Sequence, residues 1–272
     1  EAAAEHLAQA RARFETASDE TGLGQALQVA GTLAAQQGDY DTAQRHYEAS
    51  VAIRERNGDL TPLSAVLSNL GIVAEYRGDY AAARAYNERA LAIREERGER
   101  WGIGASSNNL AMLAIHERRF EEARELGETA VRHLRDVGDA WMVAIARNTL
   151  GNAYRDLGEH ELATAAYAAS VRTYRDLDDR WALAFLFEDV GILAAADAPE
   201  MAHEFVGASD GLRAATGSPR APALDEELLQ LLRDGRERIG EAVAVAALAR
   251  GRALDLEAAC ERILAYCDSG AA

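Results

Sequence analysis

A step of 40 residues recurs through most of the chain and constrains its fold more than any other feature. Gly38-Asp39-Tyr40 returns as Gly78-Asp79-Tyr80, and the same slots later hold Arg118-Arg119-Phe120 and Gly158-Glu159-His160. Other positions of the period, which we call slots, also hold similar residues every 40 residues: Ala43, Ala83, Ala123 and Ala163; Gly31, Gly71, Ala111, Gly151 and Gly191; Trp101, Trp141 and Trp181. Because a fixed step of this length marks a repeat architecture, the chain is predicted to stack copies of one structural unit.

Each period contains two helical segments separated by a turn. Apolar residues recur at helical spacing in the segment 60–77 and again in the segment 80–97. Gly78 suits the left-handed end of one helix, and Asp79 is predicted to cap the next, as are Asp39, Asp59 and Asp139. The predicted first helices span 20–37, 60–77, 100–117, 140–157 and 180–196, and the second helices span 2–17, 40–56, 80–96, 120–136, 160–176 and 199–215.

Small residues occupy the slots where the two helices of a period would cross. The glycine slot that contains Gly71 and the alanine slot that contains Ala83 leave no side chain between close helices. Each pair is therefore predicted to form an antiparallel hairpin, and neighbouring hairpins must stack because one hairpin cannot bury its own apolar face. The predicted fold class is all-α: a right-handed superhelical solenoid of antiparallel helix hairpins with a C-terminal helical cap.

The pattern formed by Leu70-Gly71, Ala74, Gly78, Tyr80 and Ala83 resembles that of the tetratricopeptide repeat. The usual period of that family is about 34 residues, so a step of 40 implies longer helices. The variant resembles the repeats of kinesin light chains and Pins-type adaptors. It resembles still more the repeats of LuxR-type and related signal-transduction ATPases of actinobacteria, on the segments 71–74, 90–94, 138–141, 199–213 and 251–259.

The resemblance implies a binding module with no catalytic activity of its own, acting as the sensor or regulatory region of a larger bacterial transcription regulator. Its ligand would be a protein or peptide in a concave groove, and a small molecule is a second possibility. A free-standing adaptor that scaffolds other proteins is the alternative, and an enzyme on a helical array is a remote one. Because the sequence begins in mid-repeat without Met, upstream ATPase or DNA-binding domains are expected in the natural protein.

Three regions are predicted along the chain. Residues 1–216 form the repeat array, 217–224 a proline-containing linker, and 225–272 a helical capping segment. Terminal repeats need a cap for solubility. The apolar residues predicted to cover the end of the stack are Leu228, Leu231, Leu232, Ile239, Val243 and Val245.

Charge and composition exclude several function classes. The formal net charge is -16, and all 29 basic residues are Arg. So acidic a surface repels phosphate backbones, and direct binding to nucleic acid or to an anionic membrane is not expected. The sequence has no transmembrane-length apolar stretch and no secretory signal pattern. With only Cys260 and Cys267, both predicted to be core residues, a reducing cytoplasmic compartment is expected.

Two ladders of polar residues lie on the first helices, which line the concave face in this family. One ladder is Gln28, Ser68, Asn108, Asn148 and Glu188, and its neighbour includes Asn69, Asn109 and Asp189. Asn is unfavourable in the interior of a helix, so its recurrence at these positions requires an explanation. Two interpretations stay open: the carboxamides bind the backbone of an extended peptide, or they hold neighbouring helices together. Tyr76, His116, Asn152 and Arg155 are predicted to border the same groove.

The remaining motifs favour structural roles. The six His residues lack metal-ligand spacing and no nucleophile motif occurs, so no catalytic residue, metal or cofactor is predicted. The carboxylate clamp of chaperone-binding tetratricopeptide domains is not expected, because the chain has no Lys and slots such as Ala65 and Ala105 are uncharged. Trp101, Trp141 and Trp181, at helix starts, are predicted to pack one repeat against the next.

Overall fold

The computed structural model describes residues 13, 14, 16–220 and 222–269, and this part of the chain contains helices and turns but no strand. The helices are α1 (Glu20–Gln36), α2 (Tyr40–Asn57), α3 (Leu60–Tyr76), α4 (Tyr80–Arg97), α5 (Arg100–His116), α6 (Phe120–Val137), α7 (Ala140–Asp156), α8 (His160–Asp176), α9 (Arg180–Ala194), α10 (Pro199–Thr216), α11 (Pro222–Ile239), α12 (Glu241–Ala253) and α13 (Leu256–Ser269). The predicted all-α class is confirmed, and α1 to α10 lie within about three residues of their predicted positions. The helix predicted for 2–17 falls largely outside the described residues.

Turn chemistry explains why the helices begin and end where they do. Gly38 and Gly78 have φ of 77° and 76°, a left-handed conformation that glycine adopts without steric cost. The Asp39 and Asp79 carboxylates each accept a bond from the backbone N–H three residues on, at 3.0 Å. Asp139 does the same. Asp59 occupies the predicted N-cap position of α3, but its side chain makes no capping bond.

The chain divides into two compact units. The first ends at Glu117 and contains α1 to α5, each packed on its neighbour in sequence. Its core includes Val66, Leu67 and Leu70 of α3. A Cβ atom built on Gly31 would lie 2.6 Å from Cδ1 of Tyr47, so the ring of α2 occupies the space that the glycine of α1 leaves.

The second unit begins at Arg118 and contains α6 to α13. Its largest core cluster joins repeat residues such as Tyr167 and Phe187 to Cys260, Ile263 and Cys267 of α13. Both cysteines are buried free thiols, which confirms their predicted core position. Among the described residues, no helix has both the length and the apolar content needed to cross a membrane.

The C-terminal helices cover the last repeat in a way that was only partly predicted. Leu228 and Leu232 of α11 are buried, and both belong to a cluster with a residue of α10. Val243 and Val245, in contrast, are exposed, because α12 turns its small residues inward. The buried residues of α12 are Ala244, Ala247 and Gly251, and a Cβ atom on Gly251 would meet the backbone of α10. Close backbone approach therefore replaces the expected large apolar contacts.

Candidate functional site

The first helices of the first unit share an exposed apolar face. Val29 of α1, Ile72 and Tyr76 of α3, and Met112 of α5 are all exposed. Their slots differ by three or four residues within the period, which places them on one side of their helices. We call these four side chains the apolar row. Exposed large apolar side chains that form a row, rather than occurring singly, are typical of an interaction surface.

Two stacked ring pairs lie at one end of the apolar row. The rings of Tyr40 and Tyr76 stack with centroids 5.2 Å apart and an interplanar angle of 4°. One period later, the rings of Tyr80 and His116 stack at 5.4 Å and 24°. His116 Nε2 also lies 3.7 Å from Glu75 Oε1, linking α5 to α3. Burial raises the pKa of the Glu75 carboxyl, and His116 opposes that shift.

The first polar ladder faces the second helices in this unit. Arg54 of α2 donates through Nη2 to Gln28 Oε1 at 2.8 Å, and Arg94 of α4 donates through Nη1 to Ser68 Oγ at 3.0 Å. Both guanidinium groups are buried, as are Ser68 and Asn108. The side chains of Gln28 and Ser68 therefore satisfy buried arginines within each hairpin.

The second ladder lies closer to solvent. Asn69 and Asn109 are half-buried on the same helices as Ile72 and Met112. Asn109 donates through Nδ2 to Asn87 Oδ1 at 3.3 Å, and Asn87 in turn donates to a backbone oxygen of its own helix at 3.0 Å. These amides border the apolar row and provide it with hydrogen-bonding groups.

In the second unit, four of the predicted site residues form one polar cluster around a carboxylate. Asn148 Nδ2 donates to Asp189 Oδ2 at 2.6 Å, and Asn152 Nδ2 does so at 3.4 Å. Arg155 Nη1 lies 3.7 Å from Asp189 Oδ1, and Arg155 Nε donates to Asp156 at 2.8 Å. Burial raises the pKa of Asp189, while Arg155 and the two amides oppose that shift.

Glu188, the last member of the first ladder, is buried in an arginine network. Its carboxylate accepts bonds from Ser209 Oγ at 2.6 Å and from Arg213 Nε and Nη2 at 2.6 and 2.9 Å. Arg220, in the turn after α10, donates to the same carboxylate at 2.6 Å and also contacts Asp210. These bonds tie the turn that precedes the C-terminal helices to α9 and α10.

Some residues that shape the site were missed at the level of sequence. Tyr47, Asn87 and Tyr167 occupy one slot of the 40-residue step, and each lies against the glycine slot of its own hairpin. Tyr167 also donates through its hydroxyl to Asn152 Oδ1 at 2.7 Å. The 40-residue spacing aligns these three residues, but they are not of one chemical type, so the sequence did not indicate a shared role for them. Within the described residues, no cluster of His, Cys, Asp and Glu suits a metal ion.

Sequence comparison identifies the repeat. The family model for the tetratricopeptide repeat matches residues 22–96 and 102–176, which together make up more than half of the chain. None of the curated proteins matches the sequence.

Several solved structures share the fold. BtubC (BKLC) from P. vanneervenii has a TM-score of 0.65 at 22% identity, over 80% of this chain and 92% of that one. A Rap protein complexed with Competence and Sporulation Factor has a TM-score of 0.60 at 17% identity, over 93% and 76%. Nearly identical TPR-like repeats of a kinesin light chain from Podospora anserina have a TM-score of 0.50 at 17% identity, over 79% and 94%. The predicted solenoid class of helix hairpins is thus confirmed.

Proposed function

The chain belongs to the tetratricopeptide repeat family, and we propose that it is a binding module whose first unit holds a protein or peptide segment on the apolar row. The main supporting observation is that Val29, Ile72, Tyr76 and Met112 are exposed on one side of the first helices, with Ile72 and Met112 one period apart. An extended ligand would bury these side chains and bond its backbone to the half-buried amides of the second ladder, Asn69 and Asn109. The stacked pair of Tyr80 and His116 closes the row.

The second unit has polar groups of its own that could contact a ligand in this proposal. Asn152 and Arg155 are half-buried and reach solvent, whereas Asn148 and Asp189 hold them in position through the bonds described above. We leave the other four residues of the first ladder out of the binding surface, namely Gln28, Ser68, Asn108 and Glu188. Their polar groups face buried arginines or the protein interior, where a ligand would have to displace them.

A selected peptide tests the binding surface directly. Peptides of about twelve residues, chosen by display on the intact chain, would be measured by calorimetry against the wild type and Ile72→Glu, and we expect at least a tenfold loss of affinity in the variant. Val243→Glu is the matched control, because Val243 is also exposed but lies on α12. Equal affinities for the wild type and Ile72→Glu, with the variant folded, would show that the apolar row is not the binding surface.

We further propose that the module is the sensor or regulatory region of a larger bacterial signal-transduction regulator. The repeat array, linker and cap predicted at 1–216, 217–224 and 225–272 would form its ligand-responsive end. A ligand can shift such a regulator between two states only if it binds them with different affinities. The fold shared with a Rap protein complexed with Competence and Sporulation Factor supports a signalling role.

The mass of the natural gene product tests this wider context. An antibody against the module would be used on an immunoblot of the cells that make the protein. A band several times heavier than 29.3 kDa is expected for a regulator with additional domains. A band near that mass would overturn the regulator proposal and favour the free-standing adaptor.

A further inference from the structure

Four large apolar side chains are exposed at the equivalent turns of two consecutive repeats in the second unit. Val137 ends α6 and Leu177 follows α8, while Trp141 and Trp181 lie in the first turns of α7 and α9. Their exposed fractions are 46%, 50%, 42% and 54% in that order. We call these side chains, with the segments 135–141 and 175–181 that carry them, the turn patch. It lies at helix ends of the second unit, whereas the apolar row belongs to the first unit.

One hydrogen bond holds the two turns next to each other. Trp141 Nε1 donates to Asp179 Oδ2 at 2.8 Å, so the indole of one repeat contacts the helix cap of the next. Trp181 packs on Phe185 with ring centroids 4.6 Å apart, and the guanidinium carbon of Arg213 lies 4.2 Å from the centre of the Phe185 ring. The indoles are therefore held in defined positions while their outer surfaces stay exposed.

The fold does not require large apolar residues at these slots. Thr61 takes the slot of Trp141 two periods earlier, in the first unit, and its hydroxyl donates to Glu99 Oε1 at 2.5 Å. The hydrogen bond that links neighbouring repeats thus needs only a side-chain hydrogen-bond donor at this slot. Asn57 likewise takes the slot of Val137 and Leu177. The sequence predicts that the tryptophans pack one repeat against the next, and Trp141 does contact the next repeat, yet Trp141 and Trp181 both remain about half exposed.

The charge around the turn patch indicates its partner. The two segments carry five Asp against three Arg. Arg175 is paired with Glu257 at 3.2 Å and Arg180 with Asp178 at 3.1 Å, so the two segments keep a net negative charge that disfavours an acidic partner. A second copy of the chain would bring two acidic patches together at a net charge of -16 each, which opposes self-association.

We propose that the turn patch is a docking surface for a protein segment that presents apolar side chains flanked by Arg or Lys. The apolar side chains would cover Leu177 and Trp181, and the basic residues would lie against the aspartates of the two turns. Burial of tryptophan supplies affinity and the acidic border selects the partner. This surface would allow the module to bind a partner while the apolar row holds its own ligand.

Model peptides of defined composition test the proposal. Three peptides of about fourteen residues without Trp would be titrated into the full chain: Leu with Arg, Leu with Glu, and Ser with Arg. We expect the Leu–Arg peptide to change the tryptophan fluorescence and to bind at least tenfold more tightly than either of the others. Leu177→Ser with Trp181→Ser is expected to reduce its affinity at least tenfold.

The matched control is Val243→Ser with Val245→Ser, which removes two exposed apolar side chains from α12 and should leave the affinity unchanged. Circular dichroism would establish that both double variants are folded. Equal binding of the Ser–Arg peptide, or equal loss in both double variants, would overturn the proposal in favour of nonspecific attraction. Sedimentation showing a dimer that the Leu177→Ser, Trp181→Ser variant dissociates would overturn it in favour of a contact between two copies.

Discussion

The aromatic ring of Tyr167 on α8 lies directly against Gly151 on α7. A Cβ atom at Gly151 would stand 2.5 Å from Cε1 of Tyr167, which is completely buried. Tyr47 and Gly31 form the same contact in the first unit, at the slots that precede these two residues by three periods. A ring in one helix and a glycine in the other thus set how closely the two helices of a hairpin approach.

Replacing Gly151 with Ala should destabilise the protein. The added methyl must displace a buried ring, and overpacking of this kind costs about 1–3 kcal/mol. That exceeds the gain of up to about 1 kcal/mol that Ala provides over Gly within a helix. The free energy of unfolding, from urea titration followed by circular dichroism, should therefore fall.

Gly24→Ala is the control for this substitution. Gly24 is also buried in a first helix, but a Cβ there would lie 3.4 Å from Cγ2 of Ile53, an ordinary contact. We expect unchanged or increased stability, because the helical preference of Ala is not offset by a clash. Equal destabilisation by both substitutions would contradict the role assigned to Tyr167.

Replacing Glu188 with Ala should be among the most damaging single changes. The substitution removes the acceptor shared by Arg213 and Arg220 and leaves two largely buried guanidinium groups without it. Breaking a buried pair from one side costs about 3–5 kcal/mol. Urea titration would measure the loss, and Arg172→Ala is the control: its pair with Asp268 is exposed and should contribute no more than about 1 kcal/mol.

The two thiols should resist modification in the native state. Burial raises the pKa of Cys260 to about 11 and that of Cys267 to about 12, from a usual value of 9.0. Only the thiolate reacts, so native labelling by iodoacetamide near neutral pH should be about 100-fold slower than labelling in urea. Mass spectrometry at intervals measures both rates, and rapid native labelling would place the thiols at the surface instead.

Asp189 should make stability depend on pH. Its pKa is raised by burial, so the folded state binds this proton more tightly than the unfolded state does. The contribution of Asp189 to stability therefore falls as the pH rises from the usual carboxyl value of 3.8 through the raised pKa. The stability of the wild type relative to Asp189→Asn should decrease as the pH rises above 3.8. A constant difference between their urea midpoints would show that the carboxylate is ionised throughout.

The repeat allowed some contacts to be anticipated and concealed others. The small residue at position 151 predicted a close crossing of two helices, and the structure confirms it. The partner differs between hairpins, from Tyr47 to Asn87 to Tyr167, so the step of 40 residues could not identify what fills the space. Arg54 and Arg94 are also 40 residues apart, and both are buried. Because charged side chains are usually exposed, the repeat gave no reason to expect this burial.

The amino-acid sequence was enough to predict the repeats and the bounds of α1 to α10, because these depend on local chemistry: left-handed glycines, capping aspartates and apolar residues at helical spacing. Which polar side chains face solvent depends instead on how the helices pack. Asn108 and Asn109 are adjacent in one helix, yet Asn108 is buried and Asn109 borders the apolar row. Successive residues point about 100° apart, and the helices packed around them determine which one is covered.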